Sequence, residues 1–183
     1  MPKTITNKKY LIQKSLEVFK ENGYYHTTFS ELAKACGVEK SHFYYYFKDK
    51  KDLMKEVLIY ASDYIQNRVF RIAENRDILP KERLIQILTC FKEIYAQSNK
   101  GCLMGNTLLE TVGREEYFKD VIIRYFDDFR ESLELIYREK YPEEAGSRAT
   151  SALANIQGSV MMTRLYSDGS IFENAVRQLI NDF

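Results

Sequence analysis

Residues 27–53 read TTFSELAKACGVEKSHFYYYFKDKKDL, and this stretch limits the fold more than any other in the chain. Leu32, Ala33 and Cys36 fall on one face of a short helix, by the three-and-four spacing of helical neighbours. Thr28 and Glu31 have the spacing of a capping box at its start. Gly37 can take the positive φ that ends a helix sharply. Ala33 is small enough for a second helix to approach closely, with Val38 and Phe43 filling the angle between the two. The arrangement is a helix-turn-helix, whose second helix has the right size for the major groove of DNA.

Gly23, Gly37, Pro80, Gly101, Gly113, Pro142 and Gly169 punctuate the sequence. Between them apolar residues recur at helical period, without β-alternation or a hairpin turn. The pattern predicts an all-α chain of about nine helices. The first covers residues 8–22, with Ile12, Leu16 and Phe19 inward. A long fourth helix spans about 51–74, followed by helices at about 81–98, 103–112, 115–140 and 144–166. A ninth helix follows a break at 167–170. Residues 1–52 form a three-helix head, and residues 53–183 a helical body.

Net charge is +1 over 183 residues, but it is unevenly spread. Residues 1–52 hold ten Lys and no Arg against six acidic residues, a net +4. Residues 53–183 hold 17 basic and 20 acidic residues, a net −3. A basic head on an acidic body fits a DNA-reading unit attached to a ligand- or protein-facing one. No apolar run reaches the roughly 18–20 residues that span a bilayer, and the N-terminus lacks a signal-peptide core. Cys36, Cys90 and Cys102 are widely spaced, without metal-ligand spacing. These features predict a cytoplasmic protein with no metal, no cofactor and no membrane partner. The two histidines, His26 and His42, both lie in the head. No zinc-protease motif, phosphate loop or nucleophile elbow is present, so no enzyme activity is expected.

The run Gly37-Val38, Phe43-Tyr44, Tyr46-Phe47, Lys50 and Leu53 resembles the DNA-binding signature of TetR/AcrR-type transcriptional regulators. An amphipathic helix ending at Asn22-Gly23-Tyr24, and Thr27-Thr28 before the next helix, extend the likeness to roughly residues 8–55. The resemblance implies that the start of helix two and helix three contact double-stranded DNA. Lys40, Ser41, His42 and Tyr45 then face base edges and nearby phosphates. Thr27 and Thr28 offer hydroxyls to a phosphate, Tyr44 and Tyr46 phenolic hydrogen bonds to the backbone, and Lys50 a phosphate clamp. Phe43 and Phe47 read as core. Of the three consecutive tyrosines, Tyr44 is expected to pack inward as well.

The same resemblance implies a homodimer on a near-palindromic operator, paired through helices eight and nine. Ala149, Ala152, Ala154 and Gly158 allow close packing, while Ile156, Val160, Leu179 and Ile180 supply apolar area. The alternative is that these residues are ordinary intramolecular core. The resemblance further implies a small effector bound in the body, with repression and ligand-induced release as the family's commonest mode. Tyr64, Phe91, Tyr95, Met104, Tyr125, Phe129, Met162 and Tyr166 offer an aromatic and methionine lining suited to an apolar or aromatic ligand. Cys102 and Asn106 complete the candidate set, and Glu110 and Arg124 are polar residues to watch beside it. Each has plain core or surface as its alternative. Cys102 at a helix N-terminus also raises an electrophile- or oxidant-sensing role, against that of a small core residue. A body that binds a protein partner is the remaining alternative.

Overall fold

Asn7 accepts the Tyr10 N–H at 2.9 Å and so opens α1 (Lys8–Asn22), which ends at Gly23. The computed structural model describes residues 7–96, 100–114 and 116–183. α1 buries Leu11, Ile12, Ser15 and Phe19. The expected capping box is present at the head of α2 (Phe29–Cys36): the Glu31 N–H donates to Thr28 Oγ1, and the Thr28 N–H donates to the Glu31 carboxylate. Gly37, at φ 65° and ψ 34°, turns the chain, and the Val38 N–H donates to the Ala33 carbonyl at 3.0 Å. α3 (Lys40–Tyr46) is held by Phe43, which is fully buried and stacks on Phe29 with ring centroids 5.4 Å apart.

Asp49 caps α4 (Lys50–Arg68), whose Leu53, Met54, Val57 and Leu58 have no exposed surface. This helix packs along α1 and then continues towards the body. The head–body division expected after residue 52 therefore falls inside its first turn. α4 is also shorter than the periodicity predicts. It stops at Arg68, and a 3-10 turn (Phe70–Glu74) follows. The tighter turn brings the Phe70 ring to 5.1 Å from Phe129 and 5.8 Å from Tyr125, into the core of the body.

Pro80, with no N–H to leave unpaired, begins α5 (Pro80–Ala96). α6 (Leu103–Thr111) is short, and a 3-10 turn (Glu116–Phe118) leads into α7 (Lys119–Arg138). The expected end of helix five near Ser98 and start of helix seven at Glu115 lie outside the described residues. α8 (Ala145–Tyr166) packs against α7 on one side and α9 (Ser170–Asn181) on the other. The break between α8 and α9 is where the sequence places it, but its left-handed residue is Ser167 (φ 53°), while Gly169 sits at φ −64°.

One buried charge fastens the base of the body. Arg83 has no exposed surface, and its guanidinium donates to the carbonyls of Ala73 and Ile78 at 2.5 and 3.0 Å. It also donates to Glu139 at 2.7 Å, and Arg76 pairs with the same carboxylate. The fold among the described residues is all-α.

Candidate DNA interface and internal cavity

A helix exposes the side chains that its core contacts leave over, and in α3 Phe43 is the anchor. Lys40, Ser41 and His42 stand in solvent, as do Tyr44 (62% exposed) and Tyr45 (80% exposed). This gives α3 a polar and phenolic outer face. The inward tyrosine is Tyr46 rather than Tyr44. Tyr46 is half-buried against the core, so its ring supports Phe47 instead of standing free.

Two other head residues depart from expectation. Thr27 has no exposed surface, and its hydroxyl donates to the Gly23 carbonyl at 2.7 Å. It stabilises the α1–α2 turn and is out of reach of a phosphate. Thr28 remains exposed, but its hydroxyl is committed to Glu31 in the capping box. Only the first N–H groups of α2 are left without intrahelical partners there.

Lys50 is the sharpest correction. Its ammonium donates to the carbonyls of Tyr24 and Thr27, both at 2.8 Å, and to that of Tyr25 at 3.4 Å. It also lies 4.5 Å from the centroid of the Tyr24 ring. An ammonium has three donors, and all three are used inside the chain. Partial burial lowers its pKa. Lys50 thus holds the α1–α2 turn rather than pointing away from it.

The same turn is held from the body. Glu110, near the end of α6, accepts the N–H groups of Tyr24 and Tyr25 at 2.8 and 2.6 Å. The Tyr24 ring meets Phe118 edge-on at 5.0 Å. A Cβ on Gly23, already at φ 79°, would lie 2.8 Å from the Glu110 carboxylate. Turn residues 23–27 are therefore fastened by α4 on one side and α6 on the other. Glu110 is a structural ligand of the head, a role its sequence position did not reveal.

Between α1, α4, α5 and the start of α6 lies a cavity of about 520 Å³, open to solvent on one side and within the range of small-molecule sites. Six of the predicted lining residues meet there: Tyr64, Phe91, Tyr95, Cys102, Met104 and Tyr125. Phe129 does not reach it. It is fully buried behind Phe91, with the two rings stacked at 4.5 Å. Asn106 lines a neighbouring cleft, where its amide donates to the Lys100 carbonyl. Met162 and Tyr166 project from the outer side of α8, 38% and 68% exposed. Arg124 lies in solvent.

The missed wall is α1. Tyr10, Gln13, Lys14, Leu16, Glu17 and Lys20 line the cavity, opposite Tyr60, Ala61 and Ile65 of α4 and Ile94 of α5. The signal for this was the spacing of those α1 residues, which forms a continuous second stripe beside the buried one. Inside, Tyr95, Tyr125 and Cys102 line the same space and interact electrostatically. Burial pushes both phenols well above their ordinary values. Burial also pushes the Cys102 thiol up, outweighing the N–H groups at the start of α6. The thiolate character expected from a helix N-terminus is therefore not realised. Cys36 in the head is buried too, and its thiol is pushed up to about 11.

The expected pairing surface also shifts. Ala152, Ile156, Val160 and Leu179 are buried within the protomer. They belong to the inward stripe, which α7 and α9 cover, so they are core and not interface. Gly158 and Ile180 are half-buried at the edge. The outer stripe of α8 carries Ala154, Asn155, Gly158, Met162 and Leu165, and a Cβ at Gly158 would meet no atom within 4 Å.

Among the described residues no helix is long and apolar enough to cross a membrane, and no cluster of His, Cys, Asp and Glu could hold a metal.

A three-helix head with an exposed α3, carried on a helical body, defines a DNA-binding transcriptional regulator of the helix-turn-helix class. Residues 11–57 match the profile of bacterial regulatory proteins of the tetR family. Residues 80–178 match that of the C-terminal domain of LmrA/YxaF-like transcriptional regulators. The chain belongs to the TetR family. It is 24% identical over 179 residues to a helix-turn-helix-type regulator from the lacX 3′ region of Lactococcus lactis, covering 92% of this chain and 88% of that protein. It is 26% identical over 136 residues to IcaR, the negative regulator of the icaADBC biofilm operon of Staphylococcus aureus, covering 74% of this chain and 70% of IcaR. A crystal structure of a TetR regulator from Legionella pneumophila superposes with a TM-score of 0.87 at 22% identity, over 98% of each chain.

Proposed function

We propose that this protein is a ligand-responsive repressor that binds a near-palindromic operator as a homodimer and releases it when a small, largely apolar effector fills the cavity. Lys40, Ser41, His42, Tyr44 and Tyr45 form the DNA-facing surface of α3, with the first N–H groups of α2 available to a phosphate. One head reaches only a few base pairs. Two heads held about 34–36 Å apart reach successive major grooves. The outer stripe of α8, open at Gly158 and apolar at Met162 and Leu165, is the surface proposed to pair two copies.

One observation carries the ligand-responsive part: α1 is both a core helix of the DNA head and a wall of the cavity. An occupant of that space contacts the head without an intermediary. The α1–α2 turn is meanwhile tied to α6 through Glu110, and α6 begins at the cavity with Leu103 and Met104. A ligand that favours one separation of α1 from α4 and α6 biases the head by its differential affinity for the two arrangements.

The test begins with selecting an operator from a random duplex library and titrating it by fluorescence anisotropy. Tyr45→Ala is expected to cost roughly 1–3 kcal/mol at particular base pairs. Gly158→Arg is expected to yield a monomer by sedimentation velocity and to lose cooperative operator binding. A dimeric Gly158→Arg protein removes the pairing surface from the reading, and an unchanged Tyr45→Ala titration removes the α3 assignment.

A further inference from the structure

The walls of the cavity are aromatic and aliphatic over most of their surface, yet three charged side chains from α1 enter them: Lys14, Glu17 and Lys20. Lys14 and Glu17 neutralise each other in an ion pair of 2.9 Å. Lys20 has no carboxylate or hydrogen-bond acceptor among the described residues. The two acids beside it on α1 are both engaged, Glu17 by Lys14 and Glu21 by Lys100 at 2.6 Å. Two lysines against one glutamate leave the cavity with one uncompensated positive charge.

Burial of an unpaired ammonium is unfavourable unless a counter-charge is supplied. Partial burial lowers the pKa of Lys20, and the Cys102 sulfur is its electrostatic neighbour. Around that sulfur gather the hydroxyls of Tyr95 and Tyr125. These three groups are all hydrogen-bond donors when protonated, and burial keeps them protonated. An ammonium without a carboxylate partner, lining a mostly apolar space beside neutral phenol and thiol groups, favours an anionic head group.

We propose that the effector is a lipophile bearing a single negative charge, such as a medium-chain carboxylic acid. Lys20 receives its head group, and its apolar portion lies among Ile65, Phe91, Ile94 and Met104. The inference rests on the reading of this cavity as the effector site, and it adds the chemistry of the ligand. A polyanion is disfavoured because only one charge is uncompensated, and a cation because it would meet Lys20 with no acid free to receive it. As Lys20 stands on α1, the ligand's charge is neutralised on the DNA head itself.

Calorimetric titration of the full-length protein with decanoate, decanol and decyltrimethylammonium tests the proposal, with folding of each variant checked by thermal melting. Wild-type protein is expected to bind decanoate at least about tenfold more tightly than the other two, the equivalent of about 1.4 kcal/mol. Lys20→Met is expected to abolish that preference, and Lys20→Arg to retain it. Ala61→Phe, which fills the cavity from α4, is expected to abolish binding of every probe. Equal affinity for decanoate and decanol, or a preference that survives in Lys20→Met, overturns the anion inference alone. No binding of any probe, or binding that survives Ala61→Phe, overturns the effector-site reading and the proposal with it.

Discussion

Replacing Lys50 with methionine separates two roles for one ammonium. Methionine keeps much of the apolar stem and removes two 2.8 Å bonds to the carbonyls of Tyr24 and Thr27, together with the contact over the Tyr24 ring. Hydrogen bonds to a charged group contribute about 1.5–3 kcal/mol each in favourable cases. Lys50 is only half-buried, so solvent screening brings the pair to about 2 kcal/mol in total. For a chain of this length, such a loss lowers the melting temperature by about 4–8 °C. If the whole cost falls on the competent geometry of the head, operator affinity drops by at most about thirtyfold per head. The deciding measurement is the salt dependence of that affinity. A lost phosphate contact makes the slope of log K against log salt shallower by about 0.9 per head, whereas a lost internal clamp leaves it unchanged. Anisotropy titrations between about 50 and 200 mM salt resolve the two cases. An unchanged melting temperature with a shallower slope would refute the internal role assigned to Lys50.

Glu110→Ala frees the Tyr24 and Tyr25 N–H groups and is expected to cost about 1–3 kcal/mol. Amide hydrogen exchange at those two positions should accelerate, and unchanged rates would show that the body does not hold the turn. Arg83→Met leaves the buried carbonyls of Ala73 and Ile78 without their donor, at an expected cost of about 3 kcal/mol. That corresponds to a fall of about 6–12 °C in melting temperature, and a fall under two degrees would contradict the pairing described for Arg83. Ser167→Gly relieves a left-handed residue worth about 1–2 kcal/mol while adding about 0.4–1 kcal/mol of unfolded-chain entropy. A net gain of about 0.5 kcal/mol is expected by denaturant titration, and destabilisation would show that the turn depends on the serine side chain.

Local chemistry made the head legible. Thr28 with Glu31, Gly37 at its positive φ, and the core positions of Phe43 and Phe47 all follow from interactions within a few residues. The bounds of α1 were equally readable, because Asn7 and Gly23 terminate a single amphipathic run. Misreadings arose where two faces of a helix looked alike. In α8, Ala152 and Ile156 face inward while Ala154 and Gly158 lie toward solvent, and small residues on both sides hide the difference. Tyr44 and Tyr46 are chemically identical, and no local pattern shows that Tyr46 lies against Phe47 while Tyr44 meets Phe29 edge-on and stays exposed. The roles of Lys50 and Glu110 depend on carbonyl and N–H groups more than 20 and 80 residues away, and no local pattern encodes such partners. The cavity was half legible for a related reason. Its aromatic wall belongs to the body, whose composition marks it as ligand-facing, but its opposite wall is α1.

That shared wall limits how the chain can be taken apart by evolution or by engineering. Grafting the head of another regulator onto this body would replace Tyr10, Leu16 and Lys20 along with the helix that reads DNA, and so would change the chemical appetite of the sensor. On the proposed reading, operator preference on α3 and part of effector preference on α1 belong to one three-helix head, and modular exchange at residue 52 would move them together.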